Sequence, residues 1–487
     1  MLWWQKGNAL VEAGRNADAL VCFEQAIRLD PCHGDAHYKA GHLLHSAGRL
    51  DEALVLLTRS AELQSDHVPT WQLRAVVLNA LNRFEEAIAD DERAIRLDPA
   101  NADVYCNMGN ALKSLGRLDT ALSCYDRSLR IRPTIAGAAN RANCLTELGR
   151  FEDAIAASRA ALTIDPNHPA LVWNLSLLQM LVGDFDAGWR GREARWKIPE
   201  IAAGYPRLAT PMWVGQELIA GKTIAVCQGE GLGDAIQFAR YIPLLAERGA
   251  RVILVVDQPL VPLLSVLPGV SLCLAKKHGL VVPPFDFHIA IDSLPLAFGT
   301  RLDNIPAKPY LPPADAARVK AWEARLGPHE VWSGNPNLKN DRNRSMSFRM
   351  LSRILDVDAT FVSVQKNPRA ADAEALRERS GVIDHTAHLT DFAETAALVS
   401  CLDLVITVDT SVAHLAAALG RPTWILLPYV GEWRWLLGRD DSPWYPSVHL
   451  FRQDESRDYA SVVERVRAAL AELAAACSTA REDHPKD

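Results

Sequence analysis

The stretch Gly116–Gly149, "GRLDTALSCYDRSLRIRPTIAGAANRANCLTELG", holds one full period of a pattern that runs through the first third of the chain. A glycine opens it, a small residue follows five places on (Ala121), Pro133 closes the first amphipathic segment, and a second segment leads to the next glycine. The opening residue recurs as Gly14, Gly48, Gly116, Gly149 and Gly183, with Asn82 in the missing place, at spacings of 34, 34, 34, 33 and 34 residues. The small residue recurs as Ala19, Ala53, Ala87, Ala121, Ala154 and Gly188, and the stop as Pro31, Pro99, Pro133 and Pro166, with Ser65 standing in once. Glycine and asparagine tolerate a left-handed turn, small residues let paired helices approach, and proline ends a helix. Residues 1–168 are thus predicted to form five stacked helix pairs, with a weaker sixth in "LVWNLSLLQMLVGDFDAGWRGREARW".

A 34-residue period with this punctuation resembles the tetratricopeptide repeat, which implies an α-solenoid with a concave inner surface. Asparagine adds a finer period. Asn107, Asn140 and Asn174 hold one position of the first helices; Asn8, Asn110 and Asn143 hold another, three residues later. Asn is a poor interior helix former, so its return needs a reason. Either Asn107, Asn140 and Asn174 form a ladder gripping an extended acceptor peptide, or the amides tie neighbouring helices. Both use the same donor and acceptor chemistry.

Composition bounds the rest. The 487 residues are 49% hydrophobic and 23% charged, and exceed one ordinary domain. A net charge of −7 and a pI near 6.1 argue against nucleic acid as a partner. Nine scattered cysteines without a CxxC pair suggest neither a zinc site nor a disulfide framework, and fit reduced thiols in the cytoplasm. No run of 18 apolar residues is present to span a membrane, and the opening "MLWWQKGNALVEAG" reads as helix rather than as a secretory leader.

After residue 195 the period disappears. "WKIPEIAAGYPRLATPMWVGQELIAG" reads as a linker, so capping helices and linker take 169–220. Short apolar runs then alternate with amphipathic segments: "KTIAVCQ", "RVILVVD", "VSLCLA" and "FHIAI", then "TFVSVQ", "VIDHT", "DLVITVD" and "PTWILLP", with "IPAKPYLPP" between the series. Such alternation predicts two Rossmann-like α/β halves, 221–313 and 314–487, facing a cleft. Ligands in such sheets sit beyond the carboxyl ends of strands. Three stretches fall there. "GEGLGD" (229–234) follows the first strand but matches neither GxGxxG nor the P-loop. "DTSVAH" (409–414) opens a helix, and the free amides of such a terminus suit a diphosphate. The basic loop carries Lys339, Arg342 and Arg344. The plain alternatives are an N-capping role for Asp234, Asp409 or Thr410, packing for His414, and a solvated face for the basic loop.

"GEGLGDAIQFARY", "WSGNP…KNDRNRSM" and "DLVITVDTSVAHLAAALGRP…WRWLLGRDDSPWYP" resemble bacterial tetratricopeptide-bearing glycosyltransferases of the two-Rossmann (GT-B) class. The C-terminal part is similar to the lipopolysaccharide heptosyltransferases, and the layout to peptide O-GlcNAc and flagellin glycosyltransferases. The resemblance implies inverting, metal-independent transfer from a nucleotide-sugar co-substrate, with no other cofactor and no metal ligands. It implies Asp234 as general base, an acceptor beside Gly229, Gly231 and Gly233, and a donor held by Asp409, Thr410, Ser411 and His414. Lys339, Arg342 and Arg344 would help to bind its phosphates. A protein acceptor would lie on the array. The alternatives are an interaction scaffold with an inactive transferase-like domain, or a glycan or lipid-linked acceptor. One departure stands out: the strand before "WSGNP" offers only Val331 and Trp332.

Overall fold

The computed structural model describes residues 2–206, 208–326, 330–333, 346, 348–366, 372, 374–375 and 382–482. The chain divides into two compact units, Met1–Leu171 and Val172–Asp487.

The first unit is five antiparallel helix pairs: α1 (Leu2–Glu12) with α2 (Asn16–Leu29), α3 (Gly34–Ser46) with α4 (Leu50–Leu63), α5 (Val68–Ala80) with α6 (Phe84–Leu97), α7 (Ala102–Ser114) with α8 (Leu118–Ile131), and α9 (Ile135–Glu147) with α10 (Phe151–Ile164). Each intra-pair turn holds its periodic residue at positive φ: Gly14 at 71°, Gly48 at 75°, Gly116 at 75°, Gly149 at 78°, and Asn82 at 59°. The following arginine N–H reaches back five residues, as Arg49 does to the Leu44 carbonyl at 2.9 Å, which closes the helix end.

In the first, second and fourth pairs, the residue four places beyond the periodic alanine is driven against the first helix. A Cβ on Gly7 would lie 2.6 Å from the Phe23 ring, on Gly41 2.8 Å from Leu57, and on Gly109 2.6 Å from Tyr125. The third pair breaks the rule, for the period puts Asp91 there. Asp91 is fully buried, and neither carboxylate oxygen has a hydrogen-bond partner among the described residues. Burial, with the Asp90 charge beside it, pushes its pKa up to about 8. Asp90 itself pairs with Arg74 at 2.5 Å.

The second unit begins within α11 (Pro169–Leu181), which pairs with α12 (Phe185–Arg192). Two parallel sheets follow. β1 (Thr223–Cys227), β2 (Arg251–Val256), β3 (Val270–Ala275) and β4 (Phe287–Ala290) stand in the order β3-β2-β1-β4. β5 (Glu330–Ser333), β6 (Phe361–Ser363), β7 (Val382–Asp384), β8 (Val405–Val408), β9 (Thr423–Leu427) and β10 (Val448–Arg452) stand in the order β10-β9-β8-β5-β6-β7. In each sheet the chain moves outward from its first strand and then returns to the other side of it, so the strand order reverses between β1 and β4 and between β5 and β8. The second sheet has a core on each face. Leu351, Ile354, Val462 and Val466 belong to one; Trp322, Leu398, Leu402 and Ala416 belong to the other.

Two stretches singled out in the sequence gain detail. The strand before Trp332 is short, yet it is central: Val331 registers with both Val362 and Val405. The stretch 196–221 packs along the first sheet. It contains the short helix Pro199–Ala202, Met212 bridges to His288 at the edge of β4, and Trp213 is 1% exposed.

The two sheets of this unit are stitched by Arg240, which is buried. It donates to the carbonyls of Gln237 (2.7 Å) and Trp444 (2.8 Å), and its guanidinium faces the rings of Tyr310, Trp444 and Tyr445 at 4.8, 5.1 and 4.5 Å. The groups acting on its charge are the tyrosines Tyr445, Tyr310 and Tyr241 rather than a carboxylate.

Candidate functional site

Both sequence-predicted loops lie at the carboxyl ends of strands beside these reversals. β1 runs into Gln228-Gly229-Glu230, and the helix Leu232–Phe238 starts at once. β8 runs into Asp409-Thr410, and the helix Ser411–Ala418 follows. The helices pack start against start. A Cβ on Gly233 would lie 2.9 Å from His414 Cδ2 and 3.6 Å from Ser411 Cα.

The three glycines answer to sterics rather than turn conformation, because none has positive φ. The expectation that they open space for an acceptor holds at most for Gly231, where a Cβ would meet only Asp234 Oδ2 at 3.2 Å. At Gly229 the space is filled: the Tyr205 ring comes within 1.9 Å of a Cβ built there. At Gly233 it is filled by His414.

Asp234 serves two partners. Its Oδ2 accepts the Gly231 N–H at 3.1 Å, so it does cap the helix start. Its Oδ1 lies 2.5 Å from Nη2 of Arg434, which comes from the second sheet's side. Burial pushes the carboxyl pKa up, and the Arg434 charge opposes it. Arg434 also pairs through Nη1 with Glu432 and donates from Nε to Gln237 Oε1 at 2.9 Å. It sits in the turn Trp433–Trp435, and the next residue, Leu436, has φ 50°, a conformation costly for a side chain with a Cβ.

At the second loop, Thr410 occupies the N-cap position but its side chain makes no capping bond. Its hydroxyl instead lies 3.2 Å from that of Thr407. Plain capping by Thr410 is therefore not its role, and no N-cap side chain occupies the first-turn amides of this helix. His414 is packed: its ring stacks on Trp435 at 5.5 Å, Nδ1 lies 2.9 Å from the Tyr445 hydroxyl, and Nε2 is 3.9 Å from Asp409 Oδ1. Asp409 and Thr410 are 4% and 7% exposed. Lys339, Arg342 and Arg344 lie outside the described residues. Ser333, the last described residue before them, registers with Thr407, two residues short of Asp409.

Beside β1 and β4 lies a charge cluster that sequence reasoning missed. Arg192 Nη2 lies 2.7 Å from both Glu230 oxygens, and Arg195 Nε is 3.5 Å from Asp292. The Tyr205 hydroxyl donates to Asp292 at 2.5 Å. Against the burial that would raise it, Arg192 and Arg195 hold Glu230 below the usual carboxylate range; burial and the Glu230 charge push Asp292 up. These residues come from α12, the short turns Glu193–Lys197 and Ile291–Ser293, the 196–221 stretch and the loop after β1, so no local motif unites them. Arg434 lay within a quoted motif, "WRWLLGRDDSPWYP", without a role.

Of the two readings of the asparagines, Asn140 fits the tie between neighbouring helices. Asn140 Nδ2 donates to Asn110 Oδ1 at 3.0 Å, and Asn110 also accepts from the Tyr125 hydroxyl at 2.9 Å. This pair ties α9 to α7. Asn107 and Asn174 are partly exposed.

Comparison with known proteins agrees with this division of the chain. Tetratricopeptide repeat families match residues 5–67, 77–116, 102–135 and 138–168, and glycosyltransferase family 9 (heptosyltransferase) matches 347–429. The chain carries tetratricopeptide repeats followed by a segment of glycosyltransferase family 9 type. Protein FlbA of Caulobacter vibrioides is 29% identical over 378 residues, 69% of this chain and 61% of FlbA, so the chain spans less than two thirds of that relative. Among solved structures, MamA is 21% identical over 32% of this chain and 92% of its own, with a TM-score of 0.31. A thermophilic tetratricopeptide protein of Thermus thermophilus is 22% identical over 37% of this chain and 98% of its own, with a TM-score of 0.32. No described helix is long and apolar enough to cross a membrane.

Proposed function

We propose that the protein is a glycosyltransferase that moves a sugar from a nucleotide-sugar to an acceptor hydroxyl, with the acceptor a protein presented by the repeat array. The observation that carries this reading is the meeting of Gly233-Asp234 with Asp409–His414. The loop that carries the Asp234 carboxylate and a helix start without a side-chain cap, each following a parallel strand, meet at Gly233. The family 9 match covers the second of them.

In this reading 221–313 is the acceptor-side half and 314–487 the donor-side half of a GT-B enzyme. The diphosphate lies on the amides of Ser411, Val412 and Ala413, helped by the basic loop at 339–344. Asp234 takes the proton of the attacking hydroxyl as the bond to the sugar anomeric carbon forms and the bond to the phosphate oxygen breaks, with inversion. Its raised pKa suits a base, since a more basic carboxylate accepts a proton more readily. Gly231 is the point at which an acceptor can approach.

The scaffold reading draws on one observation, the ion pair that occupies Asp234. Incubation of the full chain with a panel of nucleotide-sugars and candidate acceptor proteins, followed by intact-mass spectrometry, separates the two. A mass increment of one sugar, lost in Asp234→Asn, supports transfer. Absence of both transfer and donor hydrolysis across the panel favours the scaffold.

A further inference from the structure

Asp234 cannot act as a base while Arg434 holds it, yet the same guanidinium stands where a donor phosphate would arrive. We propose that Arg434 is a latch: it keeps Asp234 in an ion pair until the phosphate of the donor draws the guanidinium away and releases the carboxylate. The proposal rests on the reading of 409–414 as the donor site.

Four observations carry it. Arg434 makes the Asp234 contact from the turn 433–435, so a bond joins the acceptor-side loop to a segment beside the donor-side helix start. Its neighbour Trp435 stacks on His414 in the first turn of that helix, so the turn that carries Arg434 packs against the helix whose amides are expected to meet phosphate. Arg434 is shared between two carboxylates, Asp234 and Glu432, and can lose one without being left as an unpaired buried charge. Two buried donors at the same spot, Gln237 Nε2 and Trp435 Nε1, have no acceptor among the described residues. Unmet buried donors are costly, and an anion would satisfy them. A guanidinium N–H donates to a phosphate oxygen as it does to a carboxylate oxygen, so the Nη2 bond given up by Asp234 is replaced by one to phosphate.

The latch accounts for the engaged state of Asp234 that otherwise favours a scaffold. It also gives the transferase a way to withhold its base until the donor is bound, so that the proton is taken only when a leaving group is in place.

Isothermal titration calorimetry of the full chain with inorganic pyrophosphate tests the competition. Asp234→Asn and Glu432→Gln each remove a rival for Arg434 and should tighten pyrophosphate about tenfold, whereas Arg434→Gln should weaken it about tenfold or more. Loss of a nearby negative charge could tighten any anion, so the double variant Asp234→Asn/Arg434→Gln decides: the latch requires it to bind as weakly as Arg434→Gln alone. Glu432 is 39% exposed, so its variant keeps the test alive if the others fold poorly. Tightening by Asp234→Asn that persists without Arg434, or no tightening in either single variant, overturns the latch and leaves the donor site standing. If no variant binds pyrophosphate, both fall.

Discussion

Replacing Asp91 by asparagine should stabilise the repeat array, by an amount set by pH. The carboxyl is fully buried, with no hydrogen-bond partner among the described residues, and its pKa is pushed from 3.8 up to about 8. Below pH 3.8 it is protonated both folded and unfolded, and folding takes up no proton. Between 3.8 and 8 the unfolded chain is ionised while the folded one binds a proton, so each pH unit removes about 1.4 kcal/mol of stability. From pH 3.8 to neutrality the loss is at most about 4 kcal/mol. Asparagine has no proton to take up. The variant should therefore match the wild type near pH 4 and exceed it increasingly up to about pH 8. For a unit of 171 residues, about 4 kcal/mol corresponds to about 10 °C in the melting temperature. Helix unfolding of both full chains, followed by circular dichroism from about pH 4 to about pH 9 with hydrogen exchange on α5 to α8, reads this out. Parallel pH curves for the two proteins would refute the reasoning. They would mean that Asp91 ionises normally in the folded array.

Asp234→Asn should lower sugar transfer by about 100-fold or more, read as turnover at saturating donor and acceptor; near-normal turnover would leave Asp234 a capping residue. Gly229→Ala should cost roughly 3 kcal/mol in denaturant unfolding because its methyl meets the Tyr205 ring, whereas Gly231→Ala should stay within about 0.5 kcal/mol. Equal effects at the two positions would contradict the packing described. Asn140→Ala should cost the array about 1 kcal/mol through loss of its bond to Asn110, and Asn107→Ala should cost less; the reverse order in chemical denaturation would count against the α9–α7 tie.

The array was legible because its information is local and repeated. A glycine at positive φ, an alanine five residues on and a proline stop each report one backbone event, and Asn82 could be recognised as a stand-in because asparagine tolerates the same φ. The parallel strands of both sheets were legible as apolar runs, except β5, which offers only Val331 and Trp332, and β10, whose "VHLFR" includes two polar residues at the sheet edge. The candidate site was less so. Position at a strand end is a topological rule and singled out 229–234 and 409–414. The partners of those residues come from far along the chain: Arg434 lies 200 residues from Asp234, and Tyr205 fills Gly229 from a stretch without periodicity. Glycine in a loop signals that something comes close, but not whether it is a ligand or a tyrosine. Asparagine in a helix likewise signals a hydrogen bond without its direction, and Asn140 spends its amide on Asn110.

Arg240 gives the two units unequal sensitivity to dissolved salt. Its positive charge is met by three aromatic faces and backbone carbonyls inside the second unit, where mobile ions have no access to screen it. The turns of the array carry the opposite kind of contact, exposed pairs such as Arg49–Glu52 and Arg83–Glu86, whose small contributions fade as ionic strength rises. A rise in ionic strength would thus weaken these turn contacts while the junction between the two sheets keeps its strength.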